Sequence, residues 1–303
     1  DVERSRGLGD VYKRQHLSVQ VGPLGAELRS LQDKAGVEYL WQRDPALWAR
    51  SAPLLFPWVG RLYHGRYQVN GRTYALPLHG FAKESMFFPE QDSPHMLKLH
   101  LRENGDTLAQ FPFPFVLTVT YRLAGQTLHM DTLVHNPGPA PLYFGLGFHP
   151  GFRVPLTAGL DFSDYALQFA PGSRCPQRIQ IAPNGLRTGR SIPFPLPGGN
   201  RLPLSHALFS QEAVVLAQAG QQVSLLPLPG GKGLSLSFPN APYVALWQPA
   251  NTAAPFLCIE PWCTLPGLDE KDTVWEQEPG MLRLLPGEHF LHKLDIRLLQ
   301  VDP

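Results

Sequence analysis

The chain has 303 residues, 43% of them hydrophobic, enough for a large core, and its length allows one or two domains. Its 26 basic and 25 acidic residues leave a formal charge of +1 without a dense Lys/Arg run, which argues against a nucleic-acid partner, and no apolar run approaches the roughly 20 residues of a membrane span. The 32 Pro and 28 Gly disfavour long helices and favour many strands joined by tight turns.

Residues 1–15 are polar and aperiodic and read as a leader foreign to the fold. They lack the apolar centre of a signal peptide, so a cytoplasmic location is the default expectation. Residues 16–303 show no break in composition and no short-period repeat, and are expected to form one domain.

Strand signals begin at Leu17, Val19 and Val21, which alternate with polar or small positions. Asp44 to Trp48 predicts one short turn. Asn70-Gly71 is a strong hairpin signal, because both turn positions need positive φ. It sets Tyr67 opposite Tyr74 as a cross-strand aromatic pair. Leu97, Leu99 and Leu101 alternate next. Phe115, Leu117, Val119, Tyr121 and Leu123 then share one face of a half-buried strand, and residues 127–134 form its partner across Ala124-Gly125-Gln126. Further strands are predicted at 142–148, 165–169, 213–217, 222–227, 233–238, 243–247, 256–260 and 289–299. The Pro-rich stretches 193–203 and 227–231 read as loops. The economical architecture is all-β, one large antiparallel sandwich with long loops at a cleft.

The chemistry-bearing residues sit at the ends of apolar runs. Glu260 follows Phe256-Leu257-Cys258-Ile259, where an unpaired charge is costly. His79 lies in Leu-Pro-Leu-His-Gly-Phe and His149 in Gly-Leu-Gly-Phe-His-Pro-Gly-Phe, where Pro150 holds His149 extended. Arg61 follows Phe56-Pro57-Trp58-Val59-Gly60, and Tyr243 and Trp247 precede Glu260 by a short loop. A saccharide site needs hydrogen-bonding groups against aromatic platforms, and these segments supply both. Structural alternatives stand beside that reading. His79 suits a solvated turn, His149 a hydrogen-bonded core position, and Glu260 a buried ion pair with Arg61. His64, His95, His100, His129, His135, His206, His289 and His292 are expected in solvent, and Trp41, Trp48 and Trp262 in the core. The odd set Cys175, Cys258 and Cys263 reads as free thiols of a reducing compartment. Cys258 and Cys263 alone lack the further ligands that zinc needs, so no metal site is expected.

Four segments together resemble the aldose 1-epimerase family, closest to its bacterial galactose mutarotase-like branch. They are Ala52 to Arg61, Leu76 to Ala82, Gly147 to Phe152 and Cys258 to Trp262, in the family's order and spacing, and the likeness covers residues 17 to 299. The resemblance implies a β-supersandwich that interconverts the α and β anomers of a free aldose without metal or organic cofactor. It assigns Glu260 as general base, His149 as general acid and His79 as the histidine that holds and polarises the sugar. It assigns Arg61 to substrate binding and Trp247 to the pocket wall. The implied partner is a small hexose, and the chain is expected as a monomer or homodimer. Other branches add a hydroxyl-binding aspartate, to which neither Asp161 nor Asp164 is aligned. A hexose-6-phosphate mutarotase, with Arg66 and Arg153 as phosphate candidates, and a non-catalytic carbohydrate-binding sandwich are the alternatives. A glycoside hydrolase usually needs two carboxylates about the bond, and only Glu260 is well placed.

Overall fold

A computed structural model describes residues 10–13, 17–173, 175–211 and 213–303. Among these, 25 strands stand beside one six-residue α-helix and short 3₁₀ turns. The expected all-β supersandwich is what forms. A nine-stranded antiparallel sheet runs from Arg201–Pro203 through Tyr165–Phe169, Gln222–Pro227, Gly231–Ser237, His289–Val301, Thr127–His135, Val116–Ala124 and Met96–Arg102 to Phe88–Ser93. An eight-stranded sheet runs from Arg187–Pro193 through Gln177–Ile181, Val214–Ala217, Tyr243–Trp247, Phe256–Trp262 and Gly147–Phe148 to Leu54–Leu55, with Gly151–Arg153 also paired to Phe256–Trp262.

Alternation builds the core between them. Leu117, Val119, Val134 and Ile296 of the first sheet join Val214, Leu216, Leu257 and Ile259 of the second in one buried cluster. Each such side chain contributes roughly 1.5–3 kcal/mol on burial. The Asn70-Gly71 hairpin forms, with Tyr67 opposite Tyr74 and their rings 5.7 Å apart. The hairpin of 116–124 and 127–135 has the expected register, pairing Leu123 with Leu128. Asp44 closes the predicted turn by accepting the Ala46 N–H on Oδ1 at 2.9 Å.

Several expectations are corrected. Residues 142–148 are two strands in different sheets. Gly145 separates them, its N–H donating to Pro57 O at 2.6 Å, and a Cβ there would lie 2.6 Å from Thr264 Oγ1. The stretch read as a loop at 193–203 ends in a strand, Arg201–Pro203, against Tyr165–Phe169. The helix Gly105–Gln110 was not foreseen; Asn104 and Thr107 cap it reciprocally. His292 is fully buried, because alternation along His289–Val301 puts it on the core face with Leu294 and Ile296. Asp10–Lys13, inside the stretch read as a leader, pairs with Leu17–Gly22, and the rest of residues 1–15 lies outside the described residues.

Candidate active site

Glu260 stands where one strand has two unlike faces. In Phe256–Trp262, Leu257 and Ile259 enter the main core, while Phe256, Cys258, Glu260 and Trp262 project the other way. The neighbouring strand continues that second face, with Trp247 opposite Cys258, Ala245 opposite Glu260 and Tyr243 opposite Trp262. The small side chain of Ala245, with Val215 beyond it, leaves open space above the carboxylate. The result is a cavity of about 420 Å³. Arg61, His79, His149, Trp247 and Glu260 all line it. A larger hollow of about 830 Å³, bordered by Met86, Phe88, Glu103 and Asp106, contains none of the five.

His149 reaches the cavity because Phe148, one position earlier, is buried in the core, so the next side chain faces the opposite way. Its backbone N–H donates to Pro53 O at 3.1 Å and fixes the crossing. His149 Nε2 lies 3.3 Å from Glu260 Oε1, and the Trp262 indole N–H donates to Glu260 Oε2 at 3.1 Å. Trp48 stacks on the His149 ring at 4.9 Å, and Trp247 meets its edge at 5.5 Å. Burial disfavours charge on both partners. It holds Glu260 well above the usual carboxylate range, countered in part by the Trp262 hydrogen bond, and pushes His149 down to about 3.

His79 is held by two bonds with Gly60. Its N–H donates to Gly60 O at 2.9 Å, and the Gly60 N–H donates to His79 Nδ1 at 3.0 Å. An accepting Nδ1 leaves the proton of the neutral ring on Nε2. Burial, then the nearby His149, keep His79 neutral by lowering its pKa well below the usual value. The strained turn beneath it needs glycine next in the chain. Gly80 has φ +70° and a Cβ would lie 2.2 Å from Phe56 O, which accepts the N–H of Phe81 and of Ala82.

The ion-pair alternative for Glu260 and Arg61 does not form, since the partners of Glu260 are His149 and Trp262. Arg66 and Arg153 do not line the cavity; Arg50, Arg61 and Lys83 do. Lys83 donates to Gly80 O at 3.2 Å, and burial lowers its pKa. Arg50 is engaged by Glu84 and lies 3.7 Å from Glu27. Asp161 and Asp164 cap a 3₁₀ turn away from the cavity, where Glu260 carries the only carboxylate among the described residues. Trp48, expected in the core, is a cavity wall, while Trp262 is buried in a core cluster as expected and also lines the cavity. The sequence holds a signal for Trp262, two positions after Glu260 on the same face. It holds none for Lys83, which a 3₁₀ turn at Ala82–Glu84 carries to the rim. A ligand cluster that spacing along the chain did not reveal is also present. One ring nitrogen of His149, the Cys258 Sγ and a Glu260 oxygen all lie within 4.8 Å of one another. Cys263 is not part of it; its thiol points to Asn240 O at 3.7 Å. No helix among the described residues is long and apolar enough to cross a membrane.

Comparison with known proteins identifies relatives of this chain and of its fold. The chain is 32% identical over 295 residues to the chromosomal protein LacX of Lactococcus lactis subsp. lactis, covering 95% of this chain and 98% of that one. A galactose mutarotase-like protein from Lactobacillus casei superposes with a TM-score of 0.90 at 33% identity, over 96% of this chain and 99% of that one. A galactose mutarotase related enzyme from Lactobacillus acidophilus gives 0.89 at 29% identity, over 97% and 98%. The sequence profile described as aldose 1-epimerase matches residues 11–297, nearly the whole chain, which therefore belongs to the aldose 1-epimerase family.

Proposed function

We propose that the protein interconverts the α and β anomers of an aldose by opening and closing its ring. The observation that carries this reading is the 3.3 Å contact of Glu260 with His149 at the wall of a sugar-sized cavity. Glu260 takes the proton of the C1 hydroxyl, and protonated His149 gives one to the ring oxygen O5. The C1–O5 bond breaks and leaves the open-chain aldehyde. Rotation about C1–C2 presents the other carbonyl face, and the reverse transfers close the opposite anomer. O1 and O5 are both bonded to C1, so an acid and a base placed side by side serve this step. An acid and a base on opposite sides of the C1–O5 bond are not required.

The same logic accounts for the charge states. A buried carboxyl and a buried imidazole in contact hold one proton between them. Moving it from Glu260 to His149 creates the base and the acid together without changing net charge. His79, neutral with its Nε2 proton, is a hydrogen-bond donor for a sugar oxygen. Trp247 and Trp48 supply apolar faces, and Arg61 a rim cation. Each positioned acid or base contributes roughly 10²–10⁴-fold.

One observation favours a second reading of the substrate, a 6-phosphorylated aldose. Arg61, paired with no carboxylate among the described residues, and Lys83 stand at the cavity and would meet an anionic substituent. Polarimetry on freshly prepared α anomers of free and 6-phosphorylated hexoses tests both readings. Acceleration over the buffer rate with free sugars supports the first; acceleration confined to phosphorylated sugars supports the second. Calorimetric sugar binding without acceleration would leave a non-catalytic carbohydrate-binding protein.

A further inference from the structure

Cys258 has no part in the proposed reaction, yet its side chain points to the same face as Glu260 from two positions earlier on the strand. We propose that His149, Cys258 and Glu260 together form a binding site for a thiophilic divalent cation, with zinc as the best fit. The geometry is close to what zinc requires. Tetrahedral zinc with Zn–N and Zn–O bonds of about 2.0–2.1 Å sets those ligand atoms about 3.3 Å apart, and His149 Nε2 and Glu260 Oε1 are 3.3 Å apart. A Zn–S bond of about 2.3 Å asks for sulfur roughly 3.6 Å from each. One ring nitrogen of His149, the Cys258 Sγ and one Glu260 oxygen already lie within 4.8 Å of one another, so small side-chain rotations complete the set.

The chemistry of the donors selects the cation. Thiolate, imidazole and one carboxylate suit zinc and its softer relatives, whereas magnesium and calcium take oxygen ligands. Thiolate and carboxylate offset a double positive charge, so the loaded site is neutral in an apolar surround of Trp41, Trp48, Trp247 and Phe256. The outer contacts are in place as well. The Trp262 indole holds Oε2 of Glu260 and leaves Oε1 for the ion, and Trp48 orients the His149 ring. With three protein ligands the fourth position opens on the cavity, where water completes the tetrahedron.

The consequence for turnover rests on the reading of Glu260 and His149 as base and acid. A bound ion occupies both groups, so zinc is a reversible inhibitor that a chelator removes. The test uses the full chain stripped with EDTA and titrated with cobalt(II), whose thiolate charge-transfer absorption reports a Co–S bond directly. Wild type should develop that absorption with an equimolar amount of cobalt and lose it on adding zinc. Cys258→Ser and Cys258→Ala should lack it, while Cys263→Ala and Cys175→Ala keep it; circular dichroism confirms that each variant is folded. Polarimetry should show zinc inhibition, measured against each protein's own metal-free rate, weakened at least about tenfold in Cys258→Ser. No cobalt–thiolate absorption in wild type, or absorption that survives loss of Cys258, would overturn the proposal. Cobalt uptake by a chain that accelerates no anomerisation would support the metal site and overturn the enzymatic reading instead.

Discussion

Burial disfavours the charged forms of Glu260 and His149 alike, and one proton shared across 3.3 Å satisfies both groups. The working form of the pair therefore spans a wide pH range. On the acid side a second proton is added only near the lowered value of His149, about 3. On the alkaline side the last proton leaves only well above the usual glutamate value. We expect kcat/KM to show no acid limb at the ordinary imidazole value of about 6.5; a clear acid limb centred there would contradict the shared proton. Burial also has a cost in stability. Glu260→Gln keeps the size and the Trp262 hydrogen bond while removing a buried acid, so its thermal midpoint should equal or exceed that of wild type. A sharply lower midpoint in a melting scan would show that the carboxylate supports the fold. Trp247→Ala removes an aromatic wall and should raise KM roughly tenfold with a smaller change in kcat, because a wall holds ground and transition states alike.

At the scale of elements, the site depends on alternation and on one strained turn. Strand Phe256–Trp262 sorts its residues by parity into core and cavity, and this much the sequence reading could use: an apolar run ending in Glu260 marks where a carboxylate leaves the core. The turn at His79 is different. His79 has φ +64° and Gly80 φ +70°, and Gly80 lies against Phe56 O. Gly80→Ala should lower thermal stability by about 1–3 kcal/mol. It should also reduce kcat/KM at least about tenfold, since a displacement near 1 Å of a positioning group can cost 10²-fold. Stability and steady-state measurements on that variant check both. What the sequence left hidden has a common physical origin. Lys83, Trp48 and Arg50 join the site through close approach of segments far apart in the chain, and pattern along a single segment carries no record of that approach. Arg201–Pro203 was hidden for a related reason: it is an edge strand, where proline is tolerated because one side of the strand needs no ladder bond.

At the scale of the molecule, one cluster joins both sheets, so the sandwich should unfold as a unit in a single thermal transition. His292 is one group that makes it acid-sensitive. Neither ring nitrogen has a hydrogen-bond partner among the described residues, Phe148 packs against the ring at 5.2 Å, and burial pushes the pKa down to about 4. The unfolded chain, with an imidazole near 6.5, takes up the proton first as pH falls. Stability from the neutral form is therefore complete above pH 6.5 and lost as pH drops toward 4, by about 3 kcal/mol in all. Chemical denaturation at a series of pH values should show this slope in wild type and a flatter one in His292→Phe. Identical slopes would contradict the assignment. The expectation that His292 is solvated fails because its parity with Leu294 and Ile296, and not its polarity, decides which face it takes. The remaining strands with clear two-residue alternation were legible, since burial of one face writes that period directly into the chain.

If Glu260 and His149 together exchange the anomers of a sugar held in this cavity, the exchange is visible at anomeric equilibrium. Magnetisation exchange between the α and β H1 resonances at anomeric equilibrium measures that turnover without a coupling enzyme. We expect wild type to speed the exchange well beyond the buffer rate, and both Glu260→Gln and His149→Ala to lower it at least about a hundredfold while remaining folded. Exchange at the wild-type rate in Glu260→Gln, or no acceleration by wild type with any aldose, would contradict the account.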